Sequence, residues 1–154
     1  MNGPGIHTEF AMLCDFTLAV EDADFMDPHF FAGTASGDGQ ALVLQALMGV
    51  KRAAYYVYGG KSIPARKGLE LGIVSDVVPR EQLLTRAWEL AEFIMKRPRF
   101  SRWAMHNIMA RPFKKLVAED FGFHMSQQML SALGSKALIP DPALVSDANS
   151  RNIW

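Results

Sequence analysis

The chain has a single cysteine, Cys14, among 154 residues, so it cannot be held by an intrachain disulfide. Its few histidines and lone cysteine form no cluster at zinc-ligand spacing, so no metal is expected. Neither charge sign is in excess: lysine plus arginine and aspartate plus glutamate number 16 each. No overall field is therefore available to hold nucleic acid or an anionic membrane. No apolar run approaches the roughly 18 residues that a membrane span requires, and the opening MNGPGIHTEF has neither the basic nor the apolar region of a signal peptide. Repeats and low-complexity tracts are also missing. With 49% apolar residues, the chain is long enough for one real core and short for two. These absences leave one globular unit, expected in a reducing cytoplasm, with no nucleic-acid or membrane partner.

Helix and strand signals alternate along it. CDFTLAV, residues 14–20, suits a buried strand, and Glu21-Asp22 mark its exit. After Gly37-Asp38-Gly39, QALVLQALMG reads as a helix closed by Gly49, and KRAAYYVYGG as one closed by Gly59-Gly60. Ser62-Ile63-Pro64 is expected to open a third, ARKGLELG, and IVSDVV at 73–78 to form a short strand. The clearest periodicity lies in residues 80–97, where Leu84, Ala87, Trp88, Ala91, Ile94 and Met95 share one helical stripe. Pro98 closes that helix, SRWAMHNIMA supplies another, and Arg111-Pro112 is expected to break the chain before a last helix that stops at Gly134. The pattern predicts an α/β layer with C-terminal helices over residues 1–134, followed by an extended tail at 135–154. NGPGI is a turn that makes sense after a strand, so the sequence reads as starting midway through a domain.

The residues with chemistry gather near the front: His7 and Glu9, then Pro28-His29, then Asp38 between two glycines. NGPGI, Glu9, CDFTLAVEDADF, Pro28, GDG and YGGKSIPARKGLELGIVSDVVPREQLLTRAWELA together resemble the crotonase, or enoyl-CoA hydratase/isomerase, superfamily over residues 2 to about 134. The resemblance implies a truncated ClpP/crotonase-like ββα spiral that assembles as a homo-trimer or hexamer. It also implies an oxyanion hole made by two backbone N–H groups, one of them in an N-terminal portion absent here. Hydratases of the family use two glutamates; Glu9 matches the first, and His29, 20 positions later, stands where the second belongs. His7-Thr8 likewise replaces the glycine run that normally follows the NGP turn.

Those departures are similar to the oxocamphor hydrolase branch, which cleaves the carbon–carbon bond of cyclic β-diketones by a retro-Claisen reaction without coenzyme A. A glutamate that this branch carries in its C-terminal helix falls near Gln128. The chemistry fits: histidine offers a base near neutrality for water attacking a ketone, and a carboxylate such as Asp38 fixes its tautomer and stabilises the imidazolium. His7 can donate to the ketone oxygen, a contribution worth about 3 kcal/mol when preorganised. The implied site is therefore His29 as base, Asp38 as its partner, His7 as oxyanion donor and Glu9 as a further carboxylate, with no cofactor. An enoyl-CoA hydratase or isomerase taking an acyl-CoA thioester is the alternative, and a catalytically inactive, oligomer-forming fragment a third. Plainer roles exist for each residue. Asp38 suits a helix N-cap, His29 a buried histidine satisfied by backbone, His7 a cap, and Glu9 a favourable charge on the helix dipole. His106 and His124 read as surface or packing residues, and Tyr55, Tyr56 and Tyr58 as core or oligomer contacts.

Overall fold

The computed structural model describes residues 7–135. The NGPGI turn and the tail beyond Ser135 lie outside the described residues. A short helix α1 (Glu9–Met12) leads to strand β1 (Leu18–Val20) and then β2 (Asp24–Phe25). Helices α2 (Gln40–Met48) and α3 (Val50–Gly59) follow, then β3 (Ile63–Pro64), α4 (Ala65–Glu70) and β4 (Asp76–Val78). A 3-10 turn (Arg80–Gln82) opens α5 (Leu83–Met95), and α6 (Arg99–Ser135) completes the described chain.

The two segments read as strands pair with each other in parallel, Leu18 opposite Asp76 and Val20 opposite Val78. Parallel pairing requires a crossover, and everything from β2 to α4 supplies it. The strand at 14–20 is shorter than expected because Cys14 closes the turn after α1, its N–H donating to the Ala11 carbonyl at 3.2 Å. Thr17 extends the pairing by one residue: its carbonyl accepts the Ser75 N–H at 2.7 Å. Pro64 is the N-cap of α4, which begins at Ala65 as expected, and Ile63 and Pro64 also lie antiparallel to Phe25 and Asp24.

Helices α2 and α3 form where the glycine punctuation places them. Gly49 has φ 83° between them, a left-handed conformation that costs a residue with a Cβ. Gly60, φ 52°, ends α3 in a Schellman motif: Lys61 N–H donates to the Tyr56 carbonyl at 3.0 Å and Gly60 N–H to that of Val57 at 3.2 Å. Val43, Leu44 and Met48 of α2 pack with Ala53, Ile63, Ala65, Ile73 and Val77 into one buried cluster that also takes in Met12, Ala19 and Phe25. Tyr56 packs against this core, while Tyr55 and Tyr58 are exposed.

The C-terminal helices depart furthest from expectation. Residues 99–135 are one helix that carries Pro112 in its interior, not two separated at Arg111-Pro112. Proline withdraws one N–H from the ladder, the one that would pair with the Ile108 carbonyl. The stripe on α5 is present in the helix but uncovered: Leu84, Trp88 and Met95 are exposed, and Ala87, Ala91 and Ile94 only half-buried.

Candidate active site

Three segments converge, and one buried amide ties them together. Gln40, at the start of α2 and 1% exposed, donates from Nε2 to Thr8 Oγ1 at 3.0 Å and to the Met26 carbonyl at 2.9 Å. It thus links the residue between His7 and Glu9 to the approach to His29, from the helix that follows Asp38. Nothing in the sequence pattern marks this glutamine beyond its place after the glycine-rich turn.

His7 has φ 69°, in the left-handed region that histidine enters more readily than most residues. Its Nδ1 lies 2.9 Å from Glu9 Oε1 and 3.8 Å from Asp38 Oδ2, and its side chain is half exposed. Glu9, the first residue of α1, is buried, and its Oε2 has no hydrogen-bond partner among the described residues.

His29 sits in a tight turn, where the Ala32 N–H donates to the Pro28 carbonyl at 2.9 Å and the Thr34 N–H to the His29 carbonyl at 3.0 Å. Its ring is satisfied by carboxylates, not by backbone. Nε2 is 3.1 Å from Asp38 Oδ2, and Nδ1 is 2.8 Å from Oδ1 of Asp27, a residue the sequence reading passed over. These contacts raise the imidazole from its ordinary 6.5 to about 10, with the Asp27 hydrogen bond the largest cause and that of Asp38 next. At neutral pH His29 is therefore an imidazolium with both nitrogens occupied. That alters the expected division of labour, because a neutral histidine base is not what this geometry presents.

Asp38 is held below its ordinary 3.8 although burial acts against it; the His29 hydrogen bond and charge outweigh that cost. It is not a strong cap: its Oδ1 accepts the Gln40 N–H at a long 3.4 Å, while Ser36 Oγ accepts the Ala41 N–H at 3.2 Å. The structure thus brings His7, Glu9, His29 and Asp38 into one connected group and adds Asp27. Among the described residues no group of three or more His, Cys, Asp or Glu side chains is arranged to hold a metal ion.

Helix α6 closes on this group from one side. A Cβ on Gly37 would stand 2.2 Å from the His124 carbonyl oxygen and 2.6 Å from Gln128 Cβ, so only glycine allows the helix to come this near Asp38. Ser131 Oγ accepts the Ala35 N–H at 2.8 Å and pins the same loop. Gln128 Oε1 is buried without a hydrogen-bond partner among the described residues. His106 lies apart, its Nδ1 2.8 Å from Asp15 Oδ2 at the surface.

A histidine clamped by carboxylates beside a second histidine stands on a mixed α/β scaffold with long C-terminal helices. The enoyl-CoA hydratase/isomerase family model matches residues 1–140, and the chain belongs to that family, within the crotonase superfamily. It is 30% identical over 85% of its length to a 2,3-dehydroadipyl-CoA hydratase of Escherichia coli, covering 51% of that relative. It is 40% identical over 56% of its length to a probable mitochondrial enoyl-CoA hydratase of Dictyostelium discoideum, covering 31% of it. Among solved structures, a β-diketone hydrolase of the cyanobacterium Anabaena, bound to (S)-3-oxocyclohexyl acetic acid, superposes with TM-score 0.77 at 30% identity. It matches 88% of this chain and 55% of its own. The chain thus spans between about a third and a half of the curated relatives' length. An enoyl-CoA hydratase of Mycobacterium tuberculosis, TM-score 0.74 at 24% identity, shares the fold.

Proposed function

We propose that this chain is a carbon–carbon hydrolase that cleaves a β-diketone by a retro-Claisen reaction. One observation carries the reading: where hydratases of the family have their second glutamate, His29 is paired through Nε2 with Asp38 Oδ2 at 3.1 Å, and His7 reaches the same oxygen at 3.8 Å. The solved β-diketone hydrolase at 30% identity supports it.

In this reading the His29–Asp38 pair shares a proton and titrates as a unit. A water oxygen bonds to one ketone carbon as its proton passes to the pair; with His29 already an imidazolium, the accepting atom is a carboxylate oxygen of Asp38. His7 donates to the ketone oxygen as charge develops there. The carbon–carbon bond then breaks, leaving a carboxylic acid and an enolate. The enolate carbon takes back the proton that the pair accepted. Water is the sole co-reactant, so the reaction needs no cofactor. The assembly is the homo-trimer or hexamer that the family resemblance implies.

A second reading is favoured by the hydratase relatives and by Glu9, a buried carboxylate with one unpartnered oxygen: hydration of an enoyl-CoA thioester. The test is absorbance loss of a cyclic β-diketone with purified protein, beside a His29→Ala variant and an enoyl-CoA hydration assay. Diketone loss that disappears in His29→Ala is the expected result. Hydration that disappears in Glu9→Gln, with the diketone untouched, would replace it by the second reading. Silence in both assays would leave an inactive, oligomer-forming chain.

A further inference from the structure

We propose that Asp27 is a positioning residue for His29: it holds the ring by Nδ1, so that Nε2 is the one nitrogen presented to Asp38, the carboxylate that takes the proton of the reacting water. The kinetic arm of this proposal rests on the hydrolase reading; the geometric arm does not.

The geometry is specific to this one carboxylate. Asp27 is 3% exposed, and its Oδ1 accepts two hydrogen bonds from the same residue, the backbone N–H of His29 at 3.1 Å and ring Nδ1 at 2.8 Å. The first bond is an Asx turn, with Pro28 at the central position, where its fixed φ favours the turn. It fixes where the Cα of His29 stands. The second bond fixes the rotation of the ring about that Cα. Two bonds to one oxygen leave the imidazole a single low-energy pose, with Nε2 turned to Asp38 Oδ2 at 3.1 Å. The other ionisable groups at the site, His7 and Glu9, meet each other, and His7 also approaches Asp38 Oδ2, the oxygen that faces His29 Nε2, so neither duplicates this hold on Nδ1.

A turn alone does not account for Asp27. Asparagine or serine would close the same Asx turn without burying a charge, whereas a buried carboxylate is costly unless a cation or donors face it. Here the facing cation is His29, and Asp27 Oδ2 has no hydrogen-bond partner among the described residues. Among the described residues its hydrogen bonds go to His29 alone. In this arrangement Asp27 keeps the proton on Nδ1, and proton traffic runs through Nε2 and Asp38. Asp38, with its side chain more exposed than that of Asp27, faces the substrate side.

The test compares Asp27→Asn, which keeps the turn, with Asp27→Ala, which removes both bonds. Imidazole titration of His29 followed by NMR reads the hold on the ring whether or not any substrate turns over. Asp27→Asn is expected to move that titration from about 10 toward the ordinary 6.5. With a β-diketone, Asp27→Ala is expected to lower kcat on the order of 10²-fold with KM unchanged, the scale on which partners that orient a working histidine act. Asp27→Asn should recover part of that loss and displace the pH–rate profile toward acid. The proposal is overturned if Asp27→Asn leaves the His29 titration in place, or if folded Asp27→Ala turns over diketone at the wild-type kcat. A wild-type protein silent toward diketones removes the hydrolase reading alone, since the titration still decides whether Asp27 holds the ring.

Discussion

Residues 7–78 and residues 79–134 handle their apolar side chains in opposite ways. In the first stretch, α2, α3 and the paired strands bury one another's side chains, and the polar exceptions Thr8, Glu9, Thr17, Asp27 and Gln40 cluster around the candidate site or the strand pair. In the second, no described residue is buried, and Trp88, Phe100, Trp103, Ile108, Phe123 and Leu133 are all exposed. The difference separates two tasks. The front stretch makes the scaffold that holds five ionisable groups in place. The long helices reach it at the loop of Gly37 and Ala35, through Phe113 packed against the core and through the His106–Asp15 pair, and leave many of their other large apolar side chains exposed. Periodicity makes a helix; it does not supply the cover for its stripe.

The comparison is broken most severely in the front core. Ile63, 1% exposed and central to the buried cluster, is expected on change to alanine to cost about 2–5 kcal/mol in urea unfolding. Trp103→Ser, on the exposed face of α6, should move the same midpoint by less than about 0.5 kcal/mol in a monomer while changing the mass read by light scattering. Equal losses at the two positions would mean that the helices fold as part of one core. Next in size is Pro112→Ala, which restores an N–H to the ladder of α6 and should stabilise that helix by up to about 3 kcal/mol, read as protection of the amides near Ile108 in hydrogen exchange. Ser131→Ala comes third. It removes the acceptor of the Ala35 N–H and should cost about 1 kcal/mol. Because it frees the loop before Asp38, its effect on turnover should exceed its effect on the unfolding midpoint.

How far the sequence foretold this depends on which residues one asks about. The helices at 40–48, 50–59 and 83–95 were legible from glycine stops and apolar spacing, and the two main strands from their β-branched runs. His29, Asp38, His7 and Glu9 were picked out by resemblance, and the fold brings them within reach of one another. Asp27 was not, because aspartate before proline reads as a turn, and only the fold shows its second bond, to the ring two residues on. Pro112 misled because the rule that proline ends helices reflects the loss of one ladder bond, which a helix of 37 residues can carry in its interior. Gln40 could not be read at all, since its partners, Thr8 and Met26, lie 32 and 14 residues away.

The pH dependence of stability most directly checks the charge state of the site. His29 is raised in the folded protein from 6.5 to about 10, so protons bind the native state more tightly than the unfolded chain. Its contribution to stability is complete below about pH 6.5 and is lost as the pH climbs toward 10. Asp38 is lowered, so its contribution has the opposite sense: present above its ordinary 3.8 and lost as the pH falls through its folded value. The two overlap between those limits, and there the clamp holds best. Urea midpoints of the wild type should therefore decline from about pH 6 to about pH 9.5, and those of His29→Asn should decline less, since asparagine keeps hydrogen-bonding groups near the carboxylates without a titrating charge. Parallel declines in both proteins would place the alkaline loss elsewhere and leave His29 neutral between its carboxylates, with the free base that the simpler chemistry of the pair assumes.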